Sequence, residues 1–226
     1  IVDDDGGADA DGDGVASLAE AAAPNGGDGN GDGLADAFQP AVASYPLAAP
    51  DSGVTIELGP GCNRLTGVEA ALAQAYPGDP TQRYPFGLAR FVAPDCAGTT
   101  VRILLHGLPA TDCASGAVRK VLRRDPATAD AGDWLTVDGA LVEPVDLGGV
   151  PGCALTFPIV DGGPGDLSPQ PREIDDPVGL GVPTGVAEIP ALAPAGLAFY
   201  TALLLLAGGL VLRRSTARPP AGPSTR

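Results

Sequence analysis

Among 226 residues there is no methionine, one histidine (His106) and one tryptophan (Trp134). A translated chain starts with Met, so one that begins at Ile1 is expected to be a processed or truncated product, with any secretory leader upstream. The four cysteines form no C-x-x-C pair, which removes local support for zinc or thioredoxin-type chemistry. No G-x-G-x-x-G follows a predicted strand, and no serine sits in a nucleophile-elbow motif. Residues 1–40 contain no Lys or Arg at all, against ten carboxylates. Phosphate contacts need Lys/Arg clusters, so nucleic acid is excluded as the partner of this acidic head. Aromatic residues make up only 4% of the chain, while 33 Gly and 24 Pro make up about a quarter, which disfavours long helices.

What is present falls into three compositional regions: 1–44, 50–183 and 184–226. The first is Asp/Gly/Ala-rich with too few β-branched residues to build a core alone, and reads as an acidic stalk. Within it, "DADGDGVASLAE" fits the twelve-residue calcium-loop spacing D-x-D-x-D-G-x5-E. Asp9, Asp11 and Asp13 supply side-chain oxygens, Val15 a backbone carbonyl and Glu20 a bidentate carboxylate. "DGNGDGLADAFQ" repeats the scheme with Asp28, Asn30, Asp32, the Leu34 carbonyl, Asp36 and Gln39. A hard dication takes six to eight oxygens, and alternate residues of a tight turn converge on one point. Gln39 lacks the bidentate charge, so the second loop is expected to bind calcium more weakly. Pro24 cuts short the helix that a true EF-hand would carry. The pair of loops resembles the thrombospondin type 3 repeat, which implies ions acting as stiffeners at millimolar calcium.

The middle region carries short apolar alternations: 54–58, 87–93, 99–107, 117–124, 133–144 and 153–161. In the third, Val101, Ile103 and Leu105 share one face, and Arg102, Leu104 and His106 the other. Asp138-Gly139 is a type I′ hairpin signal within 133–144. Leu65, Val68, Leu72 and Tyr76 have helical spacing and predict one short helix over 65–76. Six or more short strands punctuated by turns predict an all-β fold, an antiparallel β-sandwich. Cys62, Cys96, Cys113 and Cys153 all lie here and predict two disulfides formed in an oxidising compartment. Strand order favours Cys62 with Cys96 and Cys113 with Cys153, although four cysteines allow three pairings.

Catalytic constellations are thin. His106 has no Cys/His companions and reads as a partly buried structural residue. Ser115 and Ser52 are formal triad partners without a motif, and Asp161 and Asp166 read as turn residues rather than a glycosidase pair. Trp134 reads as core, with sugar stacking as the alternative that leaves an extracellular ligand or glycan open. No enzyme activity is expected.

In the last region no charge occurs between Glu188 and Arg213, and 195–212 is apolar or Gly/Thr throughout. At about 1.5 Å per residue this run nearly spans a hydrocarbon core of about 30 Å, which predicts a C-terminal transmembrane helix. Arg213 and Arg214 follow it, so the positive-inside rule puts the bulk of the chain outside the cytoplasm. "IPALAPAGL" ahead of the run resembles the bacterial IPTL-CTERM sorting signal through Ile189, Pro190 and Leu192. Ala191 stands where Thr is usual, and Ala-Pro-Ala where Ser-Glu-Trp follows. The resemblance implies a sorting or processing protease as partner, and the membrane itself. Farther upstream, Pro85/Gly87/Leu88/Phe91, Asp161/Gly162/Gly163/Asp166 and Ile174/Asp176/Pro177/Gly179 resemble the choice-of-anchor U domain of bacterial surface proteins. That family implies export and attachment to the cell surface through interchangeable C-terminal anchors, and assigns no catalytic residues.

Overall fold

The computed structural model describes residues 7–71, 73, 78–123 and 131–184. The described residues belong to one compact unit. The apolar run 195–212 and the sorting residues Ile189, Pro190, Leu192, Arg213 and Arg214 lie outside them. Among the described residues, no helix is long and apolar enough to cross a membrane.

The strands are β1 (Val42–Pro46), β2 (Gly53–Leu58), β3 (Thr66–Ala71), β4 (Gln82–Arg83), β5 (Leu88–Pro94) and β6 (Gly98–His106). They continue with β7 (Ala117–Arg123), β8 (Ala131–Thr136), β9 (Leu141–Leu147), β10 (Val150–Val160) and β11 (Glu173–Pro183). One sheet runs β1-β2-β6-β10-β9 and the other β3-β5-β11-β7-β8, with β4 paired to the end of β11. The pairings are antiparallel: Ile56 faces Ile103, Leu105 faces Cys153, and Asp176 faces Phe91. Period-two alternation sends Ile56, Ile103, Leu105, Leu155 and Phe157 inward from the first sheet. Phe91, Ala93, Val118, Ile174, Val178 and Leu180 come from the second, and together they form one core. Two disulfides close the ends, Cys62–Cys96 and Cys113–Cys153, the pairing favoured by strand order.

Two local expectations are overturned. Residues 66–71 form β3, not a helix; Leu72 and Tyr76 fall outside the described residues. The pairing of β3 with β5 shifts register between Thr66 and Glu69, where Gly67 has a positive φ of 58°. That bulge adds a residue, so Leu65 and Val68 are both buried at a spacing of three without a helical turn. The second concerns Asp138-Gly139, which does form a turn, with Gly139 at φ 73°. Its flanking strands do not pair with each other: β8 pairs with β7 and β9 with β10, so the turn passes the chain between sheets.

The acidic head is not a free stalk. It lies on the outer face of the first sheet, where Ser44, Thr55, Leu104 and His106 are all fully buried. Pro24 packs on Gly53 so closely that a Cβ on that glycine would come within 2.5 Å of the proline ring. This cover explains why Leu104 and His106 are buried on the face that alternation leaves for solvent.

Candidate metal centre

The two loops fold alike. In the first, Asp9 Oδ2 accepts from Gly14 N at 3.0 Å and Asp13 Oδ1 from Val15 N at 2.6 Å. In the second, Asp28 Oδ2 accepts from Gly33 N at 3.0 Å and Asp32 Oδ1 from Leu34 N at 2.8 Å. Position one thus binds the amide of position six, and position five that of position seven, in both. The sixth residue is left-handed each time, Gly14 at φ 101° and Gly33 at φ 90°, a region that favours glycine. A motif read from spacing corresponds to one backbone conformation used twice.

Asp9, Asp11 and Asp13 bring ligand oxygens within 4.8 Å of one another. Glu20, on the short helix Ser17–Ala21, is fully buried and is close enough to Asp13 and Asp11 for their charges to act on it. Its Oε1 accepts from Ser44 N at 3.4 Å, while Oε2 has no partner. Both oxygens of Asp11 and Oδ2 of Asp13 are also buried without partners. Burial first, then the neighbouring carboxylates, pushes Asp13 up to about 7 and Glu20 up to about 8. Asp11 is raised as well, by burial and by Asp9. Unpaired buried carboxylates are costly, and a divalent cation is the counter-charge that suits an all-oxygen donor set.

In the second loop, Asn30 Oδ1 accepts from Asp32 N at 3.1 Å and Gln39 Nε2 donates to Asp32 Oδ1 at 3.3 Å and to the Leu34 carbonyl at 3.4 Å. Gln39 therefore reaches the ligand set from position twelve. Asp36 is placed otherwise. Its Oδ2 accepts from Gly29 N at 2.8 Å and from the Ser44 hydroxyl, which ties the loop to β1. Its Oδ1 is buried without a partner, and burial raises its proton affinity against the opposing effect of those two hydrogen bonds.

From Asp36 a polar chain enters the sheet. Ser44 Oγ lies 2.7 Å from Thr55 Oγ1, which lies 3.0 Å from His106 Nε2. With Ser44 donating to Asp36, both hydroxyls are satisfied when Thr55 donates to Ser44 and His106 Nε2–H donates to Thr55. Burial pushes His106 down to about 4, so the imidazole is neutral and structural. Sequence reasoning missed this chain. Its only signal was polar Ser44, Thr55 and His106 on neighbouring strands next to apolar Leu104.

The remaining candidates do not assemble a reaction centre. The Ser52 and Ser115 hydroxyls donate to the carbonyls of Ala49 and Thr111. Asp161 accepts from Arg172 N, and Asp166 from the amides of Gly162, Ser168 and Asp175, which is turn-holding work. Trp134 is half-buried and stacks on Tyr84 at 4.8 Å rather than entering the core. No protein-family model matches the chain, and no curated protein or solved structure matches it.

The two equivalent glycines differ in surroundings, which gives a test of docking. A Cβ on Gly14 would meet the Gly67 and Val68 amide nitrogens at 3.0 Å, whereas one on Gly33 meets nothing within 4 Å. Both substitutions to Ala carry backbone strain of about 1–3 kcal/mol. Only Gly14→Ala should also break the 3.0 Å hydrogen bond from Val68 N to the Asp13 carbonyl. Amide exchange should show Val68 losing protection in Gly14→Ala and keeping it in Gly33→Ala.

Proposed function

We propose that this chain is a non-catalytic, exported bacterial surface module in which two calcium ions hold an acidic segment against a disulfide-bonded β-sandwich. Its role is to display or hold other parts of a surface protein, carried by the C-terminal apolar run in the membrane. The observation that supports it most is the set of buried, unpartnered oxygens on Asp11, Asp13 and Glu20, set in a loop whose conformation the second loop repeats. Disulfides belong to oxidising compartments, where calcium is also abundant, so loops and bridges favour the same side of the membrane. The uncharged 195–212 stretch with Arg213 and Arg214 fits an anchor with a cytoplasmic basic end. The resemblance of Ile189, Pro190 and Leu192 to a sorting signal makes a processing protease the proposed partner.

Fractionation of cells producing the full chain tests the placement. The sandwich is expected to be accessible to external protease and retained with the envelope, and recovery in the cytosol would contradict the proposal. Intact mass then separates two anchors. Loss of residues after the Ile189-Pro190 motif indicates processing, and their retention indicates a permanent single-pass helix.

A further inference from the structure

Outside the loops, the most unusual chemistry lies in the core. On β7, Val118 and Lys120 point inward; on β11, Ile174, Asp176 and Val178 do. Lys120 stands opposite Val178, which places Asp176 at the next inward position on the adjoining strand. Both side chains are buried, 3% and 0% exposed, and Lys120 Nζ donates directly to Asp176 Oδ2. The ammonium also sits 4.8 Å from the centre of the Phe157 ring. Asp176 Oδ1 has no partner. The lysine stem is held as well: a Cβ on Gly165 would come within 2.6 Å of Lys120 Cδ. Amine and carboxyl are thus fixed against each other inside an apolar layer.

We propose that Lys120 and Asp176 react with each other to form an intramolecular isopeptide bond, a covalent staple between β7 and β11. A buried ion pair lacks the solvation that keeps its charges apart, and moving one proton from the ammonium to the carboxylate leaves a neutral amine facing a neutral acid. Burial favours that acid form: it pushes Asp176 up to about 6 against the opposing effect of Lys120, with the charges of Asp166 and Asp175 adding to the rise. The Nζ lone pair attacks Cγ, forming the C–N bond and a tetrahedral centre. The Cγ–OH bond then breaks, and the hydroxyl leaves as water with a proton from nitrogen. One amide and one water replace amine and acid, so no oxidant or cofactor is needed. Holding the two groups in contact replaces an encounter in solution, which is where proximity contributes most.

The test is mass spectrometry of the full chain after reduction of its disulfides. The expected result is a deficit of one water against the sequence mass, with the tryptic peptide bearing Lys120 joined to the one beginning at Glu173. Lys120→Arg keeps the charge but lacks the nucleophilic amine, and should restore the full mass. A full-mass wild-type chain with cleavage after Lys120 would overturn the proposal. So would a lost water mapped elsewhere, as in an Asp–Gly succinimide.

Discussion

Removing calcium is expected to lower the thermal midpoint of the protein by about 5–10 °C at pH 7.5. A ligand held at 100 times its dissociation constant stabilises the folded state by about 2.7 kcal/mol, and a domain of this size shifts by about 2–4 °C per kcal/mol. The physical source is the group of buried carboxylates around Asp13 and Glu20, which repel one another when no cation lies among them. The effect should depend on pH in a definite direction. Asp13 at about 7 and Glu20 at about 8 hold protons in the folded protein that the unfolded chain, with carboxylates near 4, has already released. Calcium-free protein should therefore lose stability as pH rises from about 4 to about 8. Protons also compete with the ion, so the calcium-dependent gain should be largest at the upper end of that window. Circular-dichroism melts in chelator and in millimolar calcium, from pH 5 to pH 8, measure both. A chelated midpoint that stays flat across the window would contradict this account of the loops.

The second large effect is expected at Cys113–Cys153. The bridge closes a chain separation of 40 residues, and loop-closure entropy puts its contribution at about 4 kcal/mol. It fastens the helix Ala110–Ser115 to β10. That helix stands between β6 and β7, where the chain leaves one sheet for the other. Cys62–Cys96 closes a separation of 34 and is expected to contribute nearly as much. Replacing Cys113 and Cys153 together with Ala should lower the urea midpoint substantially and steepen the transition, because the unfolded chain freed of the bridge exposes more surface. A loss under about 1 kcal/mol would show that this crossover is held by packing alone.

The strands that could be read from the sequence are those whose alternation is unbroken. Val54, Ile56 and Leu58 each face the core, as do Val101, Ile103 and Leu105. The observed disulfides are the pairing that strand order favoured among the three open to four cysteines, and the Asp/Gly spacing of the two loops corresponds to one backbone conformation used twice. What escaped did so for physical reasons. The Gly67 bulge gave a strand the apolar spacing of a helix. A local turn signal at Asp138-Gly139 carries no information about which neighbours its strands will pair with. Strand β1 straddles the end of the region judged by its acidic composition, yet Ser44 on that strand donates to Glu20 of the first loop and Asp36 of the second. Lys120 and Asp176 each interrupt an apolar row, and Asp176 also falls in the motif 174–179, but neither sign joins the two residues.

Asp36 shows the limit of motif spacing most clearly. Its position promised a calcium ligand in the second loop, but it is turned toward Gly29 and Ser44 and anchors that loop to the sheet. Glu20 is tied to β1 through the Ser44 amide, while its other oxygen has no partner and the charges of Asp13 and Asp11 act on its carboxyl. The carboxylates proposed to hold the ion are thus also among those that dock the segment on the sheet.

Titration calorimetry of calcium into chelator-stripped protein, beside Asp13→Ala and Asp32→Ala, tests the central claim most directly. The wild type is expected to bind two ions, the weaker one lost in Asp32→Ala and the tighter one lost in Asp13→Ala. Heats that are absent in the wild type, or unaltered in both variants, would contradict it.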